Sequence, residues 1–256
     1  EKESKIISNF ENTYKELNYN LLNYYGNLAF INKDYFVSSI FYEYSLKLEI
    51  KQDIPFKHLL KSYFEIHNKD KLSFWLDEYL KNIKHENLDF ENLPYYFLLC
   101  NRNEDALKVS ELAININKES PILFANTAFM YMKFERFKEA EELYEKSFSL
   151  SFNDKILEDW SAAILKTLNY TKTIQIIEKY KDDLPYNSGI ECNLALAYMS
   201  LDKQDKALKI LENTVKIDKN NAKSQALLGS FYIKQKSYPR AQKYLFLKPT
   251  HFKEEF

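Results

Sequence analysis

Apolar residues recur three and four positions apart along almost the whole chain, and polar or charged residues fill the positions between them. The first 18 residues carry one such apolar stripe, formed by Ile6, Ile7, Phe10, Tyr14 and Leu17. This spacing places the apolar side chains on one face of an α-helix. We therefore predict a helix in residues 1–18. It either caps the elements that follow or is the second helix of a unit that begins upstream.

From residue 19 onward the apolar and small residues repeat with a period of 34 residues. In the clearest copies Leu194, Ala195, Tyr198 and Ala207 recur as Leu228, Gly229, Tyr232 and Ala241. A period of about 20 to 50 residues is typical of a solenoid, in which each unit stacks on its neighbours. The pattern divides the chain into seven units, which span residues 19–52, 53–86, 87–120, 121–153, 154–187, 188–221 and 222–255.

Prolines modify the regular pattern in two of these units. Pro94 stands where the third unit should have the interior of its first helix, and proline breaks a helix interior. We therefore predict that this helix begins late, near Asn92, with Pro94 in its first turn. In the last unit we predict a second helix that begins at Pro239 and ends near Pro249.

The composition favours helices throughout. The 256 residues include only 3 Gly and 6 Pro, which leaves little material for tight hairpins. A content of 45% hydrophobic and 29% charged residues suits amphipathic helices. The predicted fold class is all-α, and the continuous register of the units leaves no room for a separate domain.

Small residues mark two positions in most of the units. The eighth position holds Gly26, Ala128, Ser161, Ala195 and Gly229, and the twentieth holds Ser38, Ala106, Ala140, Thr173, Ala207 and Ala241. A large side chain at a close helix crossing would force the two helices apart. In this pattern the chain resembles the tetratricopeptide repeat family over residues 19–255. The resemblance implies a right-handed superhelical α-solenoid of about seven helix-turn-helix repeats.

The resemblance also implies where a partner would bind. In the family, a concave groove is lined by the second, fifth, ninth, twelfth and thirteenth residues of each unit. Carried over, these positions predict an apolar partner-binding groove formed by Leu88, Tyr95, Leu98, Leu99, Ile122, Phe129, Met132, Leu165, Leu196 and Met199. Apolar troughs of this kind take a peptide or an amphipathic helix. The alternative is that tight winding buries much of this stripe inside the solenoid.

Polar residues occupy the same face of the first two units. Asn23, Asn27, Lys57 and Lys61 are possible polar contacts for an acidic segment of a ligand, or else they form a solvated helix face. Some family members hold the C-terminal carboxylate of a chaperone in a clamp that needs a further Lys and Arg in a later unit. The third unit has neither residue at those positions, so we do not expect such a clamp.

No arrangement of catalytic or cofactor-binding residues is present in the sequence. The three glycines lie far apart, which excludes a phosphate-binding loop. The four histidines have neither a metalloprotease spacing nor neighbouring cysteines. Cys100 and Cys192 fall in different units, so we predict two free thiols. We expect no catalytic residue, no cofactor and no metal ion, and a protein that is not an enzyme.

The charge balance bears on the kind of partner. A net charge of −1 with only three arginines argues against electrostatic binding to nucleic acid. No apolar run of about 18 residues is present, so we predict no direct membrane insertion by this segment. The compartment stays open. It is cytoplasmic, or periplasmic or cell-envelope if a signal or anchor upstream of Glu1 has been removed.

These observations favour a non-catalytic scaffold or adaptor that binds a peptide or helix of a partner protein in its apolar groove. One alternative is a structural building block of a larger bacterial envelope or motility assembly. The other is a regulatory sensor domain of a longer protein.

Overall fold

The computed structural model describes residues 17–245, and within them all regular secondary structure is helical. The prediction of an all-α fold is confirmed. The expected helix over residues 1–18 lies outside the described residues except for its last two positions, as does the predicted end near Pro249. The helices group into two compact units, which we call unit 1 (Glu1–Lys118) and unit 2 (Glu119–Phe256).

Unit 1 contains three helix pairs. They are α1 (Tyr19–Ile31) with α2 (Tyr35–Leu48), α3 (Asp53–Glu65) with α4 (Lys69–Asn82), and α5 (Leu93–Leu99) with α6 (Asn103–Ile116). A short 3-10 turn, His85–Asn87, precedes α5. Helix α5 has only 7 residues because it begins at Leu93, with Pro94 in its first turn, where the missing N–H costs nothing. The late start predicted from Pro94 is confirmed.

Unit 2 contains four helix pairs. They are α7 (Pro121–Lys133) with α8 (Phe137–Leu150), α9 (Asp154–Lys166) with α10 (Tyr170–Tyr180), α11 (Ser188–Ser200) with α12 (Gln204–Ile217), and α13 (Ala222–Lys234) with α14 (Tyr238–Leu245). A 3-10 turn, Lys181–Asp183, follows α10. Helix α14 begins at Tyr238, one residue before the predicted Pro239, because proline is well tolerated in the first turn.

Consecutive helices pack against each other within each unit. In addition, α1 contacts α3 and α3 contacts α5 in unit 1, while α9 contacts α11 and α11 contacts α13 in unit 2. These odd-numbered helices therefore form one layer, and the even-numbered helices that pack between them form the other.

The turn inside every helix pair has the same backbone conformation. One non-glycine residue in each turn has φ between 55° and 62°, and these residues are Lys33, His67, Asn101, Glu135, Leu168, Asp202 and Lys236. Such a left-handed residue ends a helix abruptly and lets its last carbonyls accept turn hydrogen bonds. In the first turn the N–H of Asp34 donates to Ala29 O at 2.9 Å. The chain thus reverses direction within about three residues.

Small residues allow the two layers to approach closely. Among the residues at the eighth and twentieth positions, Ser38, Ala106, Ala128, Ala140, Ser161, Thr173, Ala195 and Ala207 are fully buried. Leu60 and Leu72 depart from the small-residue pattern, yet they are also fully buried. Trp75 and Trp160 are 3% and 4% exposed, as expected of packing residues.

Candidate functional site

The odd-numbered helices of unit 2 carry apolar side chains that the packing of the helices leaves half-buried. Phe129 and Leu196 occupy the ninth position of their sequence repeats, the seven segments of about 34 residues defined above. Met132, Leu165 and Met199 occupy the twelfth position. We call these five residues the apolar patch. Equivalent positions on successive first helices place them on the same face of the first-helix layer. Leu165 and Met199 lie on helices that pack directly against each other, α9 and α11.

Ile122 belongs to the same predicted set but lies at the other end of its helix. It is the second residue of α7 and is 50% exposed. Lys133, at the last position of α7, places its ammonium 5.4 Å from the centre of the Phe129 ring, within cation-π range. The aliphatic stem of this lysine therefore lies beside the apolar patch.

A cluster of polar and charged side chains lies on α9, α11 and α13. Lys155 contacts Asp159 at 3.1 Å and Glu158 at 3.4 Å. Burial raises the pKa of Asp159, and the attraction of Lys155 only partly offsets it. Burial would lower the pKa of Lys155, but the two carboxylates outweigh it and raise that pKa. Both signs of charge are thus present on α9.

Asn193 links the three helices. It is 1% exposed, and its amide donates to Ser161 Oγ at 2.8 Å and to the carbonyl of Glu158 at 3.0 Å. Its oxygen accepts from Lys223 Nζ at 2.8 Å. Sequence reasoning missed Asn193, because nothing in the spacing distinguishes a buried bridging asparagine from one that faces solvent. The bridge makes this part of the surface rigid.

The predicted groove residues of unit 1 divide into two groups. Tyr95, Leu98 and Leu99 lie half-buried on α5. Leu88 does not lie on a first helix, because α5 begins only at Leu93, and it is 7% exposed. Placing Leu88 on the groove face was therefore wrong: the late helix start turns it into a buried residue of the connecting segment.

The predicted polar residues of α1 take part in a hydrogen-bonded network. Asn23 donates to Gln52 Oε1 at 2.6 Å. The hydroxyl of Tyr42 donates to Asn27 Oδ1 at 2.6 Å and lies 2.8 Å from His58 Nδ1. Since that hydroxyl has a single hydrogen, His58 must donate its Nδ1 hydrogen to the tyrosine oxygen. The sequence identified the two asparagines but not Gln52, which binds Asn23, or Tyr42, which binds Asn27.

The lysines of α3 are neutralised on their own helix. Lys57 pairs with Asp53 at 2.8 Å and Lys61 pairs with Glu65 at 2.6 Å. His58 stacks on Phe30 with ring centres 4.2 Å apart, and burial lowers its pKa, so it is uncharged at neutral pH. Lys57 and Lys61, together with their paired carboxylates and the uncharged His58, therefore carry almost no net charge, and their attraction for an acidic ligand is small.

Groups suited to other chemistry are scarce in residues 17–245. Cys192 is buried, and burial raises the pKa of its thiol to about 11, which leaves it protonated and a poor nucleophile. Cys100 and Cys192 are both free thiols. The described residues contain no cluster of side chains suited to hold a metal ion. None of the described helices has the length and apolar character needed to cross a membrane.

Solved structures with the same architecture were found by comparison of the folds. The C-terminal part of a TPR repeat-containing protein from Cytophaga hutchinsonii is 16% identical, with a TM-score of 0.68 over 90% of this chain and 96% of that chain. A tetratricopeptide repeat protein from Parabacteroides merdae is 15% identical, with a TM-score of 0.68 over 88% and 90%. PilW, described as a type IV pilus biogenesis factor, is 13% identical, with a TM-score of 0.65 over 82% and 98%.

No protein-family model matches the sequence, and no curated protein matches it either. The architecture nevertheless defines the class. The chain is an all-α helical-repeat solenoid with the tetratricopeptide repeat fold, and the resemblance read from its small residues is confirmed at the level of the fold.

Proposed function

We propose that the chain is a non-catalytic protein-interaction scaffold, and that the apolar patch of unit 2 binds a peptide or helix of a partner protein. The observation that carries the proposal is the half-burial of five apolar side chains at two equivalent positions of the first helices. Side chains needed only for the fold of these helices are 0 to 9% exposed, as Leu157 and Ile164 are. Burial of apolar surface against a partner would add about 25 cal/mol for each Å².

The chemistry of the patch suits an apolar or amphipathic segment. Met132 and Met199 adapt to side chains of different shape because their thioethers are flexible and polarisable. Lys155, Asp159 and Lys223 supply charges of both signs, so they would orient a ligand rather than attract a strongly charged one. In unit 1 we include Tyr95, Leu98 and Leu99 as further contact residues, with Asn23 and Asn27 as polar contacts.

The test is the replacement of Leu165 and Met199 by glutamate in the full chain. The proteins captured from a lysate of the source cells are compared by mass spectrometry with those captured by the unmodified chain. Two charges placed where the partner packs should lower the affinity for the partner by at least about tenfold, which corresponds to a loss of ~1.4 kcal/mol of binding free energy. Far-UV circular dichroism should remain helical.

Ile217→Glu is the matched control. This residue is also apolar and in unit 2, but it is 56% exposed at the end of the second helix α12. Capture should survive this change. Retention of every partner by the Leu165 and Met199 variant, or equal loss in the Ile217 variant, would contradict the proposal.

The same capture experiment addresses the main alternative, a building block of an envelope or motility assembly. PilW, which shares the fold over 82% of this chain, is described as a pilus biogenesis factor. Recovery of several envelope or pilus components, insensitive to changes in the apolar patch, would favour that alternative.

A further inference from the structure

A row of lysines borders the apolar patch of unit 2. Helix α7 ends at Lys133, α9 ends at Lys166 and α13 ends at Lys234. All three lysines are exposed and occupy the thirteenth position of their sequence repeats. They directly follow residues of the twelfth position, among them Met132 and Leu165 of the apolar patch. We call Lys133, Lys166 and Lys234 the lysine row.

The lysine row is confined to the first helices of unit 2. Among the α-helices of residues 17–245, only α7, α9 and α13 end at a lysine. The first helices of unit 1 end at Ile31, Glu65 and Leu99, and α11 ends at Ser200. A lysine in the last turn stabilises a helix through the helix dipole, but this effect is available to every helix. The dipole alone therefore does not explain why the lysines collect beside the apolar patch.

The positive charge of the lysine row is not neutralised within residues 17–245. None of the three ammonium groups forms an ion pair there, whereas Lys155 of α9 pairs with Asp159 at 3.1 Å. The turns that follow these helices and α11 add two carboxylates and three basic side chains, which are Glu135, Asp202, Arg136, Lys203 and Lys236. The border of the patch at this end of the first helices is therefore positive.

The opposite ends of the first helices carry mostly the other sign. The carboxylates in the first halves of α9 and α11 are Asp154, Glu158, Asp159 and Glu191, and the lysines at this end are Lys155 and Lys223. A ligand that lies across the apolar patch would thus find attraction for acidic groups along one border only. The phosphates of a nucleic acid would be repelled by these carboxylates and would gain nothing from Leu165 and Met199, so a protein segment fits this surface better.

We propose that the partner segment is an amphipathic helix with acidic residues along one border of its apolar stripe, and that these acidic residues face the lysine row. This partner binds at the apolar patch, so its assignment rests on the proposed function above. The helix must cross the first helices of unit 2, because the lysine row and the twelfth-position residues both run from one helix to the next. Packed helices lie about 8–10 Å apart, and seven residues of a helix span roughly 10 Å. The acidic residues of the partner should therefore recur about seven positions apart.

The experiment selects binders of the full chain from a displayed library of random peptides of about 20 residues, which span roughly 30 Å as helices. The enriched peptides should contain at least about twice as many acidic as basic residues, with the spacing given above. One enriched peptide is then synthesised and its affinity is measured by fluorescence anisotropy. Lys133→Glu, Lys166→Glu and Lys234→Glu combined should weaken its binding by about tenfold or more at low salt, and added NaCl should reduce this difference.

The matched control combines Lys138→Glu, Lys209→Glu and Lys216→Glu. These lysines are exposed on the second helices α8 and α12 of unit 2, so the control makes the same change in net charge away from the apolar patch. It should leave the affinity nearly unchanged, and far-UV circular dichroism should show that both variants remain helical.

Enriched peptides without an acidic excess would overturn the assignment of an acidic partner, as would equal losses of affinity in the two triple variants. The proposed function is tested separately with Leu165→Glu and Met199→Glu combined, which should abolish binding of the enriched peptides whatever their charge. Peptides that bind this variant as tightly as the unmodified chain, or a selection that enriches no peptide, would contradict the proposed function and the acidic partner with it.

Discussion

At the residue scale, Gly26 makes room for the ring of Tyr42. A Cβ atom at Gly26 would lie 2.9 Å from Cε1 and 3.1 Å from Cδ1 and Cζ of that ring. Tyr42 has no exposed surface, and its hydroxyl is bonded to Asn27 and His58, so the ring cannot turn away without breaking those bonds. The burial that holds the ring also raises the pKa of Tyr42.

Gly26→Ala should therefore destabilise the protein despite the better helix propensity of alanine. Overpacking costs about 1–3 kcal/mol, and the propensity gain of roughly 0.5–1 kcal/mol offsets part of it. We expect a net loss of about 1–2 kcal/mol in urea unfolding. Gly189→Ala is the control, because its methyl would meet the flexible side chain of Glu158, 2.2 Å from Oε1, 2.3 Å from Cδ and 2.9 Å from Cγ, and not a fixed ring. Equal losses in the two variants would show that the fixed ring of Tyr42 is not the cause.

Leu168 is a bulky residue in a left-handed turn conformation. It has a φ of 62° and is 69% exposed, so its side chain contributes little packing to compensate for the strain. Leu168→Gly should stabilise the chain by roughly 0.5–1 kcal/mol in thermal or urea unfolding. Leu150→Gly, at an exposed helical position of the same unit, should instead destabilise it by roughly 0.5–1 kcal/mol. A loss of stability in both variants would contradict this account of the turn.

At the element scale, tyrosines of first helices bond to glutamates of the preceding second helices. Tyr63 donates to Glu43, Tyr198 donates to Glu178, and Tyr232 donates to Glu212 at 2.8 Å. Each pair is separated by 20 residues. Burial, with help from the neighbouring glutamate, raises the pKa of Tyr198 to about 12, so its hydroxyl remains a donor over the physiological range. These bonds help to set how successive pairs stack.

Glu43 should make stability depend on pH. Burial alone would raise the pKa of this carboxyl, but hydrogen bonds from Tyr63, Lys71 and Lys47 outweigh it and lower the pKa below 4.5. A lowered pKa in the folded state stabilises the fold at neutral pH, and this contribution is lost as the pH falls through that pKa. Glu43→Gln should therefore lower the melting temperature at pH 7, and the difference in melting temperature from the unmodified chain should shrink as the pH falls below 4.5. A constant gap between the two melting curves would exclude this role.

At the scale of the whole molecule, stability is distributed over neighbouring helices. Within residues 17–245, each unit holds its own buried residues, and the helices pack mainly against elements near them in sequence. In such repeat arrays the stability is approximately a sum of local and nearest-neighbour contributions. A destabilising substitution in one helix pair should therefore lower the stability of the neighbouring helices before that of distant ones.

Leu211→Ala is expected to act locally. Leu211 is fully buried on α12, and loss of its side chain should cost about 2–5 kcal/mol of local stability. Hydrogen exchange should accelerate in α11, α12 and α13 and stay unchanged in α3 and α4. Leu76→Ala, at a fully buried position of α4, should give the reverse pattern. Uniform acceleration along the chain in either variant would mean that the array unfolds as one cooperative body.

Much of the fold could be read from the sequence because it depends on contacts that are close along the chain. The apolar period and the small residues predicted an all-α repeat fold, and Pro94 predicted the late start of α5. Less of the candidate site could be predicted from the sequence. The groove positions carried over from the family placed Leu88 on the face of a first helix. Leu88 precedes that helix, however, because the helix begins at Leu93. Lys57 and Lys61 were predicted as polar contacts for an acidic ligand, but each pairs with a carboxylate one turn away on the same helix.

The sequence by itself determined the helical class, the positions of the small residues and the order of the helix pairs along the chain. Each of these follows from local helix propensity and residue spacing. The tertiary structure decided which side chains remain accessible. Asn193 became a buried bridge among Ser161, Glu158 and Lys223, and Leu165 and Met199 stayed half-buried. Accessibility depends on which neighbouring helix covers a position, and that is a property of packing between elements rather than of any one of them.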